Sequence, residues 1–440
     1  MSKGQKLEPK LRFPEFRGAE GWTPEPMGEV YSFKGNNSLS RDKLNYVAGS
    51  VKNIHYGDIH TKFSTHFDIT KELIPFINES EEGIVRDANL CAEGDMIFAD
   101  ASEDMADIGK SIEVVRLNGE RVVAGLHTIL ARRSGDRIAL GFGGHLFKSG
   151  WVRTQIQKEA QGAKVLGISA NRMRNLRLPL PHDPAEQQKI AECLSSVDEL
   201  MAAQARKVDA LKTHKKGLMQ QLFPREGETQ PSLRFPEFQN AGEWEEASLG
   251  DYFDPIRNGF VGTATPYYTT SDGVRYLQGR NIKQGRIEAD NLIYITNEFH
   301  NRQRKSHLKE GDILMVQSGH VGECAVVSSE FAGCNCHALV ILTPKRKLSS
   351  DFFAHYFYSP IGELAIFQIT TGNTIKHILA SELKTLPVLV PDFAEQQRIA
   401  SCLSSLDTLI TAETQKLEAL KTHKKGLMQH LFLSLEAVAA

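Results

Sequence analysis

The chain has 440 residues, 41% hydrophobic and 24% charged, with a formal net charge of -2. That length allows about three domains with sizeable cores, and the near-neutral balance is mild evidence against a nucleic-acid binder. Six cysteines without a regular framework fit a reducing compartment, and no run of 18 apolar residues is present, so no membrane span is expected.

The opening, MSKGQKLEPKLRFPEF, has no apolar h-region and does not read as a secretory signal. Residues 1–26 are read as an N-terminal segment, and a cytoplasmic location is expected. Residues 27–182 follow as one mixed globule, a size typical of one domain. Short apolar runs bounded by Gly, Asp and Asn, such as Met96–Ala99 and Val122–Val123, read as strands. Residues 183–224 carry apolar side chains at 190, 194, 197, 201, 208, 211, 218 and 222, with Gln204 and Lys215 filling two slots. Spacing that alternates four and three is a heptad seam and predicts a long helix of about 36 residues. Asp183, Pro184 and Glu186 supply its start signal, an Asp-x-x-Glu capping box.

The pattern then repeats. Residues 225–248 form a linker in which LRFPEF of 11–16 returns at 233–238, and Trp22 returns as Trp244. Residues 249–391 make a second mixed globule, with strands expected at Ile313–Val316 and Ala338–Leu342. Residues 392–433 repeat the helix: 185–223 and 394–432 are identical at 27 of 39 positions, including ALKTHKKGLMQ in full. Residues 434–440 are a tail. The two globules share only traces, EGDMIFAD (93–100) with EGDILMVQ (310–317) and QGAKVLGI (161–168) with TGNTIKHI (371–378). Two large repeats indicate duplication rather than a solenoid. Two long helices with one apolar stripe each most simply bury it against each other, and antiparallel pairing would give a pseudo-two-fold axis. Two copies of one surface then suggest two copies of one partner. The candidate surface is Lys212, His214, Lys215, Lys216 and Met219, repeated as Lys421, His423, Lys424, Lys425 and Met428.

The duplicated LRFPEF, the two versions of P-x-x-x-EQQ-x-IA-x-x-L-x-x-x-D and the repeated LKTHKKGLMQ-x-LF resemble the specificity subunit of type I restriction–modification systems over nearly the whole chain. The resemblance implies an α/β (mixed α+β) fold. It has two target recognition domains, each reading half of a split, asymmetric double-stranded DNA site. Two long conserved helices, paired as an antiparallel coiled coil, space them. It also implies docking of two modification subunits, which are adenine methyltransferases using S-adenosylmethionine, and of restriction subunits using ATP and Mg. No cofactor is expected in this chain.

Charge is uneven along the sequence. Residues 116–180 hold twelve Lys/Arg against three acids, whereas 27–115 hold eight against sixteen; residues 275–309 hold eight against three. A basic stretch suits phosphate contact, and Arg, Lys, Asn, Gln and Ser read base edges. The DNA-contact candidates in the first globule are Arg132, Arg133, Gln161, Lys164, Arg172 and Arg174. In the second they are Gln278, Arg280, Asn281, Lys283, Gln317, Ser318, His320, Asn373, Lys376 and His377.

Catalytic signatures are missing. DIGKS (107–111) has Asp104 where a P-loop needs its first Gly. GFGGH (141–145) lacks dinucleotide spacing, and CNCH (334–337) is too tightly packed for an ordinary zinc site. No Asn-Pro-Pro-Tyr-like tetrapeptide occurs. A non-catalytic DNA-recognition subunit is expected; the competing reading is a coiled-coil scaffold whose globules bind proteins.

Overall fold

The computed structural model describes residues 7–345, 347–373 and 376–434. Two helices dominate, α1 (Pro184–Leu222) and α2 (Phe393–Leu431), each of 39 residues, slightly longer than the seam predicts. The chain divides into two compact units at Ala205/Arg206 and Gln415/Lys416. Each unit therefore holds one globule, the first part of one long helix and the last part of the other.

In the first unit a five-stranded sheet runs in the order β1-β5-β3-β4-β2, with β1 Tyr31–Lys34, β2 His66–Asp68, β3 Met96–Ala99, β4 Ser111–Arg116 and β5 Thr128–Arg133. In the second unit the order is β6-β9-β7-β8, with β6 Phe253–Asn258, β7 Ile313–Val316, β8 Cys324–Val326 and β9 Leu339–Pro344. Strands β3 and β7 are buried along their whole length, which is why they read as continuous apolar runs rather than alternating ones. The shared EGD phrase is the turn that feeds them. Gly94 and Gly311 adopt φ of +89° and +84°, where a side chain is strained. Asp95 accepts from the Ala92 N–H and Asp312 from the Lys309 N–H, at 2.8 and 2.9 Å.

Why the LRFPEF phrase recurs is now visible. Arg12 donates to both oxygens of Glu186 at 2.8 and 2.7 Å; Arg234 does the same to Glu395 at 2.8 and 2.6 Å. The remaining guanidinium N–H groups bind the Glu8 carboxylate and the carbonyls of Ala19 and Glu20 in one unit, and the Ala241 and Gly242 carbonyls in the other. Such bidentate pairs are among the stronger charged contacts. This corrects the expected capping box. Asp183 and Asp392 do cap, accepting from Ala185 and Glu395 N–H groups, but the Glu side chains turn to arginine instead. Gln187 and Gln396 complete the joint: their carbonyl oxygens accept from Ala139 and Ser349, and their amides donate to Pro181 and Pro391.

The helices pair antiparallel within each unit. In the second, Lys207 meets Glu413 and Lys215 meets Asp407, so one number rises as the other falls. In the first, Asp198 receives Lys424; by the repeat of 209 residues this is the Lys215–Asp407 pair again. The seam residues Ile190, Leu194 and Val197, and Ile399 and Leu403, are buried. The terminal Leu-Phe of each helix plugs the core of the unit it ends in. Phe432 stands edge-on to Trp22 at 6.1 Å between ring centroids, and Phe223 edge-on to Trp244 at the same distance.

A buried histidine under each helix pair repeats as well: His145 near Ser195 and His355 near Ser404. Burial, with the Lys215 ammonium nearby, holds the His355 imidazole down at about 4. Unfolding lets it regain an ordinary value near 6.5, so stability is full above about 6.5 and falls as pH drops towards 4. Acidification from pH 6.5 to 5 is expected to cost the second unit about 2 kcal/mol through this group. Urea unfolding of His355→Gln at both pH values should show a shallower loss; an equal loss would assign the acid sensitivity elsewhere.

Candidate nucleic-acid interface

Beyond the end of each buried strand lies a small polar loop, and the two loops are built alike. In the first unit Gln161 and Gly167 exchange N–H···O bonds of 2.9 and 2.7 Å, and the Ile168 N–H reaches the Asp100 carbonyl just after β3. In the second unit Thr371 and His377 exchange bonds of 2.9 and 2.8 Å, and the Ile378 N–H reaches the Gln317 carbonyl just after β7. The backbone bonds hold the loops shut while their side chains face solvent. Gln161 and Lys164 are exposed in one; Ser318, His320, Asn373, Lys376 and His377 are exposed in the other, with Gln317 half-buried. A bond from the Gly319 N–H to the Lys376 carbonyl ties the 317–320 and 371–377 segments together. Six of the predicted residues of the second globule thus form one surface.

Other candidates stand elsewhere or do other work. Arg132 donates to Asp95 at 2.9 Å and to the Leu90 carbonyl, at the opposite end of β3 from the Gln161 loop. It forms an ion pair that braces the turn before β3; in the second unit the Arg257 guanidinium stands 3.6 Å from Asp312 and the Thr343 hydroxyl donates to it. Arg133 donates to the Ile138 carbonyl. Arg172 pairs with Glu159 at 3.2 Å, and Arg174 lies over the Phe33 ring at 5.1 Å. Asn281 is 2% exposed, and its amide bonds the backbone at Gln278, Glu288 and Asp290; it is corrected to a loop anchor. Gln278 donates to the Tyr268 hydroxyl, Arg280 to the Asn291 carbonyl, and Lys283 to Glu288. The 278–285 segment still lies beside the loop, because the Gln284 N–H bonds Glu323 and Gly279 approaches Val316.

The basic stretch 116–180 is also less basic in three dimensions than along the chain. Arg121 meets Asp87, Arg132 meets Asp95 and Arg137 meets Glu25, all acids from earlier sequence. Sequence reasoning missed a group beside the first loop. His127 contacts the Asp100 carboxylate at 3.2 Å, His60 contacts the Ala101 carbonyl at 3.0 Å, and Tyr56 stands edge-on to His127. Burial pushes the Asp100 carboxyl up, and His127 opposes that. No spacing in the sequence joins residues 56, 60, 100 and 127; only the sheet does.

On the repeated helix phrase, Lys212, His214, Lys216, Lys421, His423 and Lys425 are exposed. Lys215 and Lys424 hold Asp407 and Asp198. Met219 is buried in the second core and Met428 packs on the first, so Met219 is corrected from a partner contact to a core residue. The cysteines of CNCH are buried too, and burial pushes the Cys336 thiol up.

A family model described as the type I restriction modification DNA specificity domain matches residues 242–422. The putative type I restriction enzyme MjaX specificity subunit of Methanocaldococcus jannaschii is 26% identical over 399 residues, spanning 89% of this chain and 87% of the relative. The MjaVIII specificity subunit of the same organism is 23% identical over 288 residues, 63% of this chain and 66% of its own. Among solved structures, the S subunit of a type I restriction–modification system from M. genitalium superposes with a TM-score of 0.59 at 14% identity, over 98% of this chain and 100% of that one. A chain from a study of type I complex assembly and conformational transition gives 0.52 at 18% identity, over 94% and 98%. With the duplicated fold, the paired helices and these likenesses together, the chain is similar over most of its length to the specificity subunits of type I restriction–modification systems.

Proposed function

We propose that the chain confers DNA sequence specificity on a type I restriction–modification complex, each unit reading one half of a bipartite, asymmetric target. One observation carries this. The same self-closed loop stands at the same place in both units, yet its side chains differ, Gln161 and Lys164 against Asn373, Lys376 and His377. A constant frame with variable tips suits two different base sequences. Lys376→Ala with His377→Ala should weaken binding about 10- to 100-fold, from about 1–3 kcal/mol of lost contacts. The loss should vanish on DNA whose corresponding half-site is scrambled, and scrambling the other half should leave it intact. Unchanged affinity for the intact target, read by fluorescence anisotropy at fixed salt, would remove the loop from the interface.

The chemistry is assigned to partners: methylation to two adenine-methyltransferase subunits with S-adenosylmethionine, cleavage to restriction subunits with ATP and Mg, all in the cytoplasm. The exposed Lys212, His214 and Lys216 and their copies Lys421, His423 and Lys425 support one methyltransferase on each helix repeat. Leu200 and Leu409, 57% and 41% exposed and related by the same 209 residues, add an apolar contact to each copy. Native mass measurement at saturation should give two modification subunits per chain, and Leu200→Glu should leave one. A single subunit bound to the unaltered chain would contradict the duplicated surface.

A further inference from the structure

The second unit contains an open cavity of about 450 Å³ that the first unit's architecture fills. Its walls come from Ile361, Leu364 and Ala365 on the helix Pro360–Gln368, from Val388, and from Trp244. The matching helix of the first unit is Gly150–Glu159. Its second residue is Trp151, where the other has Ile361; its sixth is Gln155, where the other has Ala365. Trp151 and Gln155 both donate to the Arg177 carbonyl, and the Gln155 oxygen accepts the Arg177 N–H. The position matching Arg177 is Pro387, which has no N–H to give. Smaller side chains and a proline leave this space open.

The lining says what would enter it. Trp244, Ile361, Leu364, Ala365 and Val388 offer apolar surface, the rim carries Glu226, Glu228 and Glu246, and among the described residues no lysine, arginine or histidine lines the cavity. An apolar stem and a positive charge are therefore wanted together. A lysine or arginine residue supplies both, a methylene chain and a cationic head. The volume falls in the range of small-ligand sites, about 300–1,000 Å³.

We propose that this cavity binds a lysine- or arginine-bearing peptide segment of a partner protein. The site is independent of DNA reading and belongs to the second unit alone.

The chain has three tryptophans, so the indole N–H signals of the ¹⁵N-labelled full-length protein are easily followed; Trp244→Phe identifies the relevant one. The peptide Ac-Leu-Lys-Leu-NH2 should shift the Trp244 signal and leave Trp22 and Trp151 still, binding at least tenfold tighter than the norleucine analogue. Ile361→Trp with Ala365→Gln, which copies the filled first unit, should abolish the response while the other indole signals stay in place. Glu226→Gln with Glu228→Gln and Glu246→Gln, all at exposed positions, should weaken binding tenfold. The proposal fails if the Trp244 signal stays still at about 10 mM peptide. It fails equally if the norleucine peptide binds as well, or if the filled variant responds like the unaltered chain.

Discussion

Glu395→Ala is expected to destabilise the 206–415 unit by about 3–5 kcal/mol, the range for removing one partner of a buried ion pair. The Arg234 side chain is 8% exposed and that of Glu395 1%, so water cannot take over the lost carboxylate. The guanidinium would keep only the Ala241 and Gly242 carbonyls. Glu186→Ala also orphans the Trp22 N–H, at a cost of about 1–3 kcal/mol, but it leaves Arg12 the Glu8 carboxylate at 3.1 Å, so a loss of similar size is expected. Peptide-resolved hydrogen exchange would assign each loss to its own unit. A loss below about 1 kcal/mol at either site would mean that the arginine finds solvent, and that the repeated motif joins the helix by packing alone.

Lengthening both helices by four residues is expected to change the DNA target without changing either half-site. Four residues add about 6 Å and about 40° beyond a full turn. B-DNA advances about 3.4 Å and turns about 34–36° per base pair. A complex assembled on the variant should methylate a site whose spacer is longer by one base pair, and lose activity on the original. On sequence grounds the insertion belongs after Ala203 and Ala412, where Gln204 and Glu413 already make the seam polar. The structure moves it. Glu413 is buried and pairs with Lys207 inside the second unit, so a break after Ala412 would slide that pair apart. Insertion after Ala205 and after Gln415, at the unit boundaries, keeps Asp198–Lys424, Lys207–Glu413 and Lys215–Asp407 in register. Methylation of the original spacing at undiminished efficiency would show that the helices do not set the distance.

What was legible in advance follows from what a linear pattern records. The seam of α1 and α2 is periodic and local, so helix, length and partner could be argued from spacing. The match of QGAK with TGNTIKH also survived, because the same backbone bonds constrain both loops. What escaped were relations between distant positions. Arg12 and Glu186 lie 174 residues apart, so a repeated arginine and a repeated glutamate looked like two motifs rather than one contact. Asn281 had the right chemistry for DNA, but burial decided its use, and burial depends on neighbours from other segments. The charge excess of 116–180 misled for the same reason, since Asp87 and Asp95 fold back onto it. Met219 shows the converse: a repeat that suggested a partner's docking surface partly reflects two equivalent cores.

The Arg–Glu clasp also bears on how such a chain changes over generations. Much of what fastens a globule to the helices lies outside the divergent stretches: Arg12 and Arg234, Trp22 and Trp244, Glu186 and Glu395, and the closing Phe432 and Phe223. A divergent segment moved from one slot to the other, or brought in by a crossover within the identical ALKTHKKGLMQ runs, meets the same bidentate Arg–Glu pair and the same Trp–Phe contact. Inheritance can therefore shuffle whole readers without re-solving the joint. Selection on the joint is conservative at few positions and coupled in pairs, so Arg12 and Glu186 should change together or not at all, while the loop tips are left to diverge freely.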